Sequence, residues 1–186
     1  LTEPRIAPWL ERVRFVTSGS EATGTAIRIA RGATGRRKVL KFEGAFHGSH
    51  VEGVANFIWG DRAHYPHAEP TGTGGASAVD DILVCPYNDS ESFLDLIDIH
   101  APSMAAVVLD PVQRSILAEP AFVATVRAAT ARHRVPFILD EVVSGFRLGL
   151  GGAAAHYGVV PDLVAYGKAL GGGFPIAVVG GRTDLM

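Results

Sequence analysis

The chain has 186 residues, 47% of them hydrophobic and 19% charged, enough apolar material for one globular domain with a real core and too much for a disordered chain. A formal net charge of −2, with no run of like charges and no basic residues interleaved with aromatics, excludes a nucleic-acid footprint and an electrostatic attachment to membranes. The single cysteine, Cys85, excludes an internal disulfide framework and a cysteine-based zinc cluster.

Leu1-Thr2-Glu3-Pro4-Arg5 has no charged-then-apolar signal pattern, so a cytoplasmic setting is expected. Val13 to Thr17 alternates and reads as a strand, and Ser18-Gly19-Ser20 turns the chain into a helix with small or apolar residues at Ala22, Ala26, Ile29, Ala30 and Ala33. Lys38 to Phe42 reads as a second strand. Residues 44–80, rich in Gly, His and Pro, read as a long functional loop region, partly mobile around Thr71 to Gly75. Strands follow at Ile82 to Val84, Ala105 to Leu109, Phe137 to Leu139, Leu163 to Ala165 and Ile176 to Val179. Helices are expected over Ser90 to Ile99 and, with Pro120 in its first turn, over Pro120 to His133. Cys85, beside Ile82-Leu83-Val84, reads as a buried thiol. Strands alternate with helices, and several strands are continuous apolar runs. The expected fold is therefore α/β, a mostly parallel sheet with helices on both faces. No stretch is apolar enough to span a bilayer. The chain does not open on Met, and both ends read as cuts through a larger protein.

Ligands of such sheets gather at the carboxyl ends of strands, where Ser18, Asp110, Asp140 and Lys168 all fall. Ser18 and Glu21 have capping-box spacing, which leaves the N–H groups of Gly19 and Ser20 free at a helix start for an anion, with the Ser20 hydroxyl as a further donor. A plain capped helix would look the same. Asp140 ends a buried strand and needs a partner. A protonated pyridine nitrogen would serve, as would backbone N–H groups of a structural turn. Lys168, between Gly167 and Ala169 and ahead of three glycines, can form an imine with an aldehyde, and burial with nearby positive charge would make it a base; a solvated loop lysine is the alternative. Phe46 could stack on a heteroaromatic ring, with His47 bonding or packing beneath it. His50, His64 and His67 match no zinc spacing, and no metal is expected. Arg147 reads as structural. Together the lysine, the aspartate and the anion-binding turn point to pyridoxal 5′-phosphate (PLP).

Five motifs occur in order: Ser18-Gly19-Ser20-Glu21-Ala22, Phe46-His47-Gly48, Asp140 to Arg147, Pro161-Asp162-Leu163, and Gly167 to Gly173. Over nearly its whole length the chain resembles the class III, fold-type I, PLP-dependent aminotransferases, in a glutamate-1-semialdehyde aminomutase-like form. The resemblance implies that Gly19 and Ser20 bind the phosphate beside Ser18, that Phe46 and Val142 cover the two ring faces with His47 alongside, and that Asp140 pairs with the ring nitrogen. It implies that Lys168 forms the aldimine and shuttles a proton between the substrate α-carbon and the cofactor C4′. It also implies a homodimer whose partner supplies a phosphate-binding Thr. Residues 1–186 would then be a PLP-binding large domain lacking the N-terminal segment and the C-terminal small domain, and inactive alone.

Three departures stand out. Asp110-Pro111-Val112 replaces the usual Glu-Pro-Val, and the shorter carboxylate would shift a contact behind the site. Val143 stands where many transaminases carry Gln, as in the aminomutase branch. Gln113 to Leu117 replaces the glycine-asparagine segment of aminomutases; the Pro111-Val112-Gln113 stretch and the short connection to the next helix resemble aminotransferase domains of polyketide–peptide assembly lines, which tilts the reading toward transamination. The expected function is transamination from a small-molecule amino donor to a carbonyl acceptor. A glutamate-1-semialdehyde-type 2,1-aminomutase and an inactive or truncated paralogue are the alternatives, with a racemase or decarboxylase on the same scaffold also open.

Overall fold

The computed structural model describes residues 1–57, 65–70 and 72–186. Strand β1 (Arg12–Val16) leads into helix α1 (Gly19–Thr34). The helix starts where it does because Ser18, extended at φ −147° and ψ 157°, accepts the Glu21 N–H on its Oγ at 3.2 Å. The Glu21 carboxylate reaches back past the cap to the N–H and hydroxyl of Thr17, at 2.8 and 2.9 Å, so the capping-box spacing is used one residue early. Gly35, at φ +66°, ends the helix in a left-handed cap. Then come β2 (Lys38–Phe42), a one-turn helix α2 (Val51–Val54), β3 (Ile82–Cys85), α3 (Ser90–His100) and β4 (Met104–Leu109). A small hairpin of β5 (Val112–Gln113) and β6 (Ile116–Leu117) precedes α4 (Pro120–His133), β7 (Phe137–Glu141), α5 (Gly152–Tyr157), β8 (Leu163–Tyr166) and β9 (Ala177–Gly181). Helices α2 and α5 and the hairpin were not expected from the sequence. Thr71, at the start of the glycine stretch, lies outside the described residues.

The main sheet has seven strands in the order β1-β9-β8-β7-β4-β2-β3. Five of them, β3, β2, β4, β7 and β8, run parallel; β9 is antiparallel to both β8 and β1. The fold is α/β with a mostly parallel sheet. The pleat sends alternate residues to opposite faces. Ala26, Ile27 and Ala30 of α1 pack on Val39, Val108, Ile138, Leu163 and Val179. On the other face Phe93 and Ile97 of α3 and Phe122, Val123 and Val126 of α4 cover Leu40, Phe42, Val107, Leu109 and Leu139. Burial on both faces is why these strands read as unbroken apolar runs. The last residue of β7, Glu141, is fully buried and accepts the Ala153 and Ala154 N–H groups at 2.7 and 2.9 Å and the Ser144 hydroxyl at 3.0 Å. It thereby starts α5. Gly152 is required there, because a Cβ would lie 2.3 Å from Glu141 Oε2.

Candidate active site

The carboxyl ends of the parallel strands and the start of α1 converge on one cavity of about 180 Å³. Ser18, Gly19, Ser20, Phe46, His47, Asp140, Val142 and Lys168 all line it, so the structure brings together every site residue put forward from the sequence. Thr23, Gly48, Asp110 and Val143 complete the wall.

Gly19 and Ser20 are the first two residues of α1, where N–H groups have no partner within the helix and the dipole favours an anion. Ser20 Oγ accepts the Ser49 N–H at 3.1 Å and keeps its own proton for donation. Two glycines let three segments meet here. A Cβ on Gly19 would lie 2.7 Å from Val142 Cγ1, and one on Gly48 (φ +117°) 2.6 Å from the Ser20 Cα. Ser18 spends its hydroxyl on the helix cap.

Asp140 is buried, and its two oxygens are held separately: Oδ1 accepts the Val142 N–H at 3.1 Å, and Oδ2 lies 2.7 Å from His47 Nδ1. Burial pushes the His47 imidazole below its ordinary range, although the bond to Asp140 pulls the other way. The ring is therefore neutral, and the bonding assigns its proton to Nδ1, donated to Asp140. His47 Nε2 is left buried with no partner among the described residues, an arrangement that persists at ligand sites. Asp110 is also buried. Its carboxyl is pushed up to about 7 by burial and by the like charge of Asp140, with the Val112 N–H at 3.0 Å as an opposing donor.

Lys168 opens a tight turn, Lys168–Leu170, with φ +42°, a left-handed conformation that costs a side-chain-bearing residue about 1 kcal/mol. It is exposed, whereas burial was invoked for it from the sequence. Among the described residues its amine makes no hydrogen bond or ion pair. Phe46 is 46% exposed, with its ring set edge-to-face on Phe57 at 4.9 Å. Val142 packs beside Ala22, Ala165 and Ala177.

The remaining candidates fall elsewhere. Cys85 is fully buried and its thiol is pushed up to about 12 by burial, an inert group. Arg147 is exposed. His50 caps α2 and bonds Glu52 at 3.1 Å. His64 lies outside the described residues, and among those described no three His, Cys, Asp or Glu side chains are placed to hold a metal. Sequence reasoning missed two contributors. Thr23 donates to the Gly19 carbonyl at 3.0 Å, one turn back, and its Oγ1 also touches the His47 carbonyl. Lys41 is fully buried beneath the segment that carries Phe46; a lysine between Leu40 and Phe42 on an apolar strand was the available signal.

An anion cradle, a buried carboxylate, an aromatic and an aliphatic side chain on one cavity and an uncommitted amine fit a phosphate-bearing pyridine aldehyde. Residues 4–186 match the model of the aminotransferase class-III family. The chain belongs to that PLP-dependent family. It is 42% identical over 183 residues to a glutamate-1-semialdehyde 2,1-aminomutase of Methanospirillum hungatei, a match covering 96% of this chain and 43% of that protein. It superposes with a TM-score of 0.92 and 39% identity on an omega-transaminase from Sphaerobacter thermophilus, covering 98% of this chain and 43% of that one. A transaminase with PLP bound gives 0.87 and 31%, with the same coverage. The chain thus spans about two-fifths of the length of these relatives. Among the described residues no helix is long and apolar enough to cross a membrane.

Proposed function

We propose that the protein carrying this chain is a PLP-dependent aminotransferase that moves an amino group from a small-molecule donor to a carbonyl acceptor, with Lys168 and Asp140 as its catalytic residues. One observation carries this reading: an exposed lysine in the turn after β8 and a buried carboxylate on β7 line the same small cavity as a helix N-terminus. Bound PLP supplies an aldehyde that condenses with amines and a protonated ring that draws electrons from bonds at the substrate α-carbon. The Gly19 and Ser20 N–H groups and the Ser20 hydroxyl hold the phosphate. Asp140, fixed by Val142 and His47, holds a proton at the ring nitrogen. Phe46 and Val142 exclude water from the two ring faces. Lys168 Nζ would hold the aldehyde carbon and, as a free amine, would carry a proton between the substrate α-carbon and C4′.

A 2,1-aminomutase is the second reading. It is supported by Val143 on the cavity wall and by the aminomutase relatives. The Pro111-Val112-Gln113 stretch favours transamination by resemblance. Gln113 is buried and donates to the Glu43 carbonyl, a tie between the hairpin and the loop after β2. A homodimer with a partner threonine at the phosphate and a place in a biosynthetic assembly line belong to the same proposal and rest on the resemblance.

The test is an absorbance spectrum of the full-length protein with PLP, followed by borohydride reduction and peptide mapping. A visible imine band, with the cofactor fixed on the Lys168 peptide, is the expected result; no band and no labelled lysine would refute it. Bleaching of the band by amino donors, with amine appearing on a separate acceptor, supports transamination. Conversion of a semialdehyde with no second substrate supports the aminomutase. A cofactor-loaded protein that turns over neither class is either the inactive paralogue or a racemase or decarboxylase, and an amino acid racemised or decarboxylated separates the two.

A further inference from the structure

A buried lysine, its amine pushed down to about 7 by burial, has no part in the chemistry above. Lys41 lies on β2, on the side of the sheet opposite Leu40 and Phe42, and is 1% exposed. A buried ammonium needs all three of its protons bonded. Here each finds a backbone carbonyl: Ala45 O at 2.9 Å, Gly53 O at 3.2 Å and Ala55 O at 2.5 Å. All three acceptors belong to the loop between β2 and the end of α2, and Phe46, His47 and Gly48 sit between the first and the second. The Gly53 carbonyl also accepts the His47 N–H at 3.1 Å, so Lys41 and His47 share one acceptor. Close packing leaves the loop little slack, since a Cβ on Gly53 would lie 2.2 Å from the Gly48 carbonyl.

We propose that Lys41 is a positioning residue: its ammonium clamps three carbonyls of the loop and so sets Phe46 against the cofactor ring and His47 against Asp140. The inference rests on the PLP reading of the cavity. A simple structural lysine would need only to be neutralised, and the neighbouring Glu43 could serve. The Glu43 carboxylate instead takes the Asn56 amide at 2.8 Å, and the clamp falls on carbonyls on both sides of the site residues. On its far side the same loop is tied to α1 by Glu52, which pairs with Arg31 at 2.5 Å and with His50 at 3.1 Å. Helix α1 also touches this loop at His47, through the Thr23 hydroxyl, and at Ser49, through Ser20; among the described residues only the Lys41 amine bonds the carbonyl immediately before Phe46.

The experiment compares Lys41→Met and Lys41→Arg with the full-length wild-type protein. The probe is pyridoxamine 5′-phosphate, which has no aldehyde and reports ring and phosphate contacts without the Lys168 bond. Lys41→Met is expected to weaken its binding by about tenfold or more, as loss of buried charge-assisted bonds predicts, and to change the visible circular dichroism of bound PLP. Lys41→Arg, which keeps charge and donors, should recover part of both. Unchanged affinity and dichroism in a folded Lys41→Met protein would overturn the proposal, even if the variant melts earlier. Wild type that binds neither cofactor form would instead sink the PLP reading itself. Should neither variant fold, hydrogen exchange on the wild-type complex decides. The clamp requires amides of residues 45–55 to exchange as one unit with β2, and much faster exchange of that loop refutes it.

Discussion

Gly19→Ala is a sharp test of how the cavity is assembled, because two effects oppose each other. Alanine is the better helix former, by up to about 1 kcal/mol in a helix interior and less in the first turn. Against this, the new methyl would lie 2.7 Å from Val142 Cγ1 and 3.1 Å from Cγ2. Carbon atoms at rest sit about 3.5–4.0 Å apart, so something must give by roughly 1 Å. Val142 has little room to yield. Its N–H is held by Asp140, its Cγ1 also lies 3.3 Å from where a Gly167 Cβ would stand, and Ala22, Ala165 and Ala177 surround it. Overpacking of this kind costs about 1–3 kcal/mol, more than the helix gains. Either the start of α1 or Val142 moves, and the phosphate donors lose register with Asp140. PLP affinity, measured by equilibrium titration of the full-length protein, should fall about tenfold, one decade for each 1.4 kcal/mol. Adding Val142→Ala removes the clashing carbons, so the double variant should bind more tightly than the two single losses predict, with a coupling of about 1 kcal/mol. Wild-type affinity in Gly19→Ala, or strictly additive losses in the pair, would refute the reasoning.

Asp140→Ala strands the His47 Nδ1–H in a buried site and should destabilise the fold by about 1–3 kcal/mol in thermal unfolding. Asp140→Asn keeps an oxygen for that bond but no charge for the ring nitrogen; it should stay folded and lose turnover on the order of 100-fold. Phe46→Ala removes one ring face and should weaken PLP binding by about 0.5–1.5 kcal/mol in the same titration. The Glu52 carboxylate is held down at about 2, first by His50 and also by Arg31, against 4.5 unfolded. A depressed carboxylate contributes stability that is full above pH 4.5 and is lost as pH falls toward 2. Urea midpoints measured across that window should drop less steeply in Glu52→Gln than in wild type.

What the sequence disclosed follows from how each feature is encoded. Ser18, Asp110, Asp140 and Lys168 were legible because each is polar at the end of an apolar run, and a parallel sheet brings such ends to one side. Strand direction was less legible, since hydrophobic pattern says nothing of it. The clue lay in spacing. Residues 167–176 between β8 and β9 are too few for a parallel crossover, which needs a dozen or more, so β9 returns antiparallel. Helices α2 and α5 are shorter than two turns and leave no period to read. Helix α5 is set by a distant carboxylate, that of Glu141, ahead of any local propensity. Lys41 was passed over because strands commonly alternate and lysines are commonly exposed. Its burial depends on carbonyls contributed by residues 45, 53 and 55, which no local pattern announces.

Asp110 shows how a departure in sequence acquires a physical meaning. Two carboxyl groups line a cavity of about 180 Å³, and like charges so placed resist both being ionised. Asp140 receives two N–H donors, from Val142 and from the His47 ring, whereas Asp110 receives one, from Val112. Burial and the like charge of Asp140 push the less supported Asp110 carboxyl up to about 7. The aspartate in place of the expected glutamate thus lies on the cavity wall itself. Moving the carboxyl by one methylene with Asp110→Glu should alter the pH profile of cofactor binding around 7 and leave Lys168 as the labelled residue. A profile unchanged in Asp110→Glu and in Asp110→Asn would show that this carboxyl does not share the cavity's charge balance.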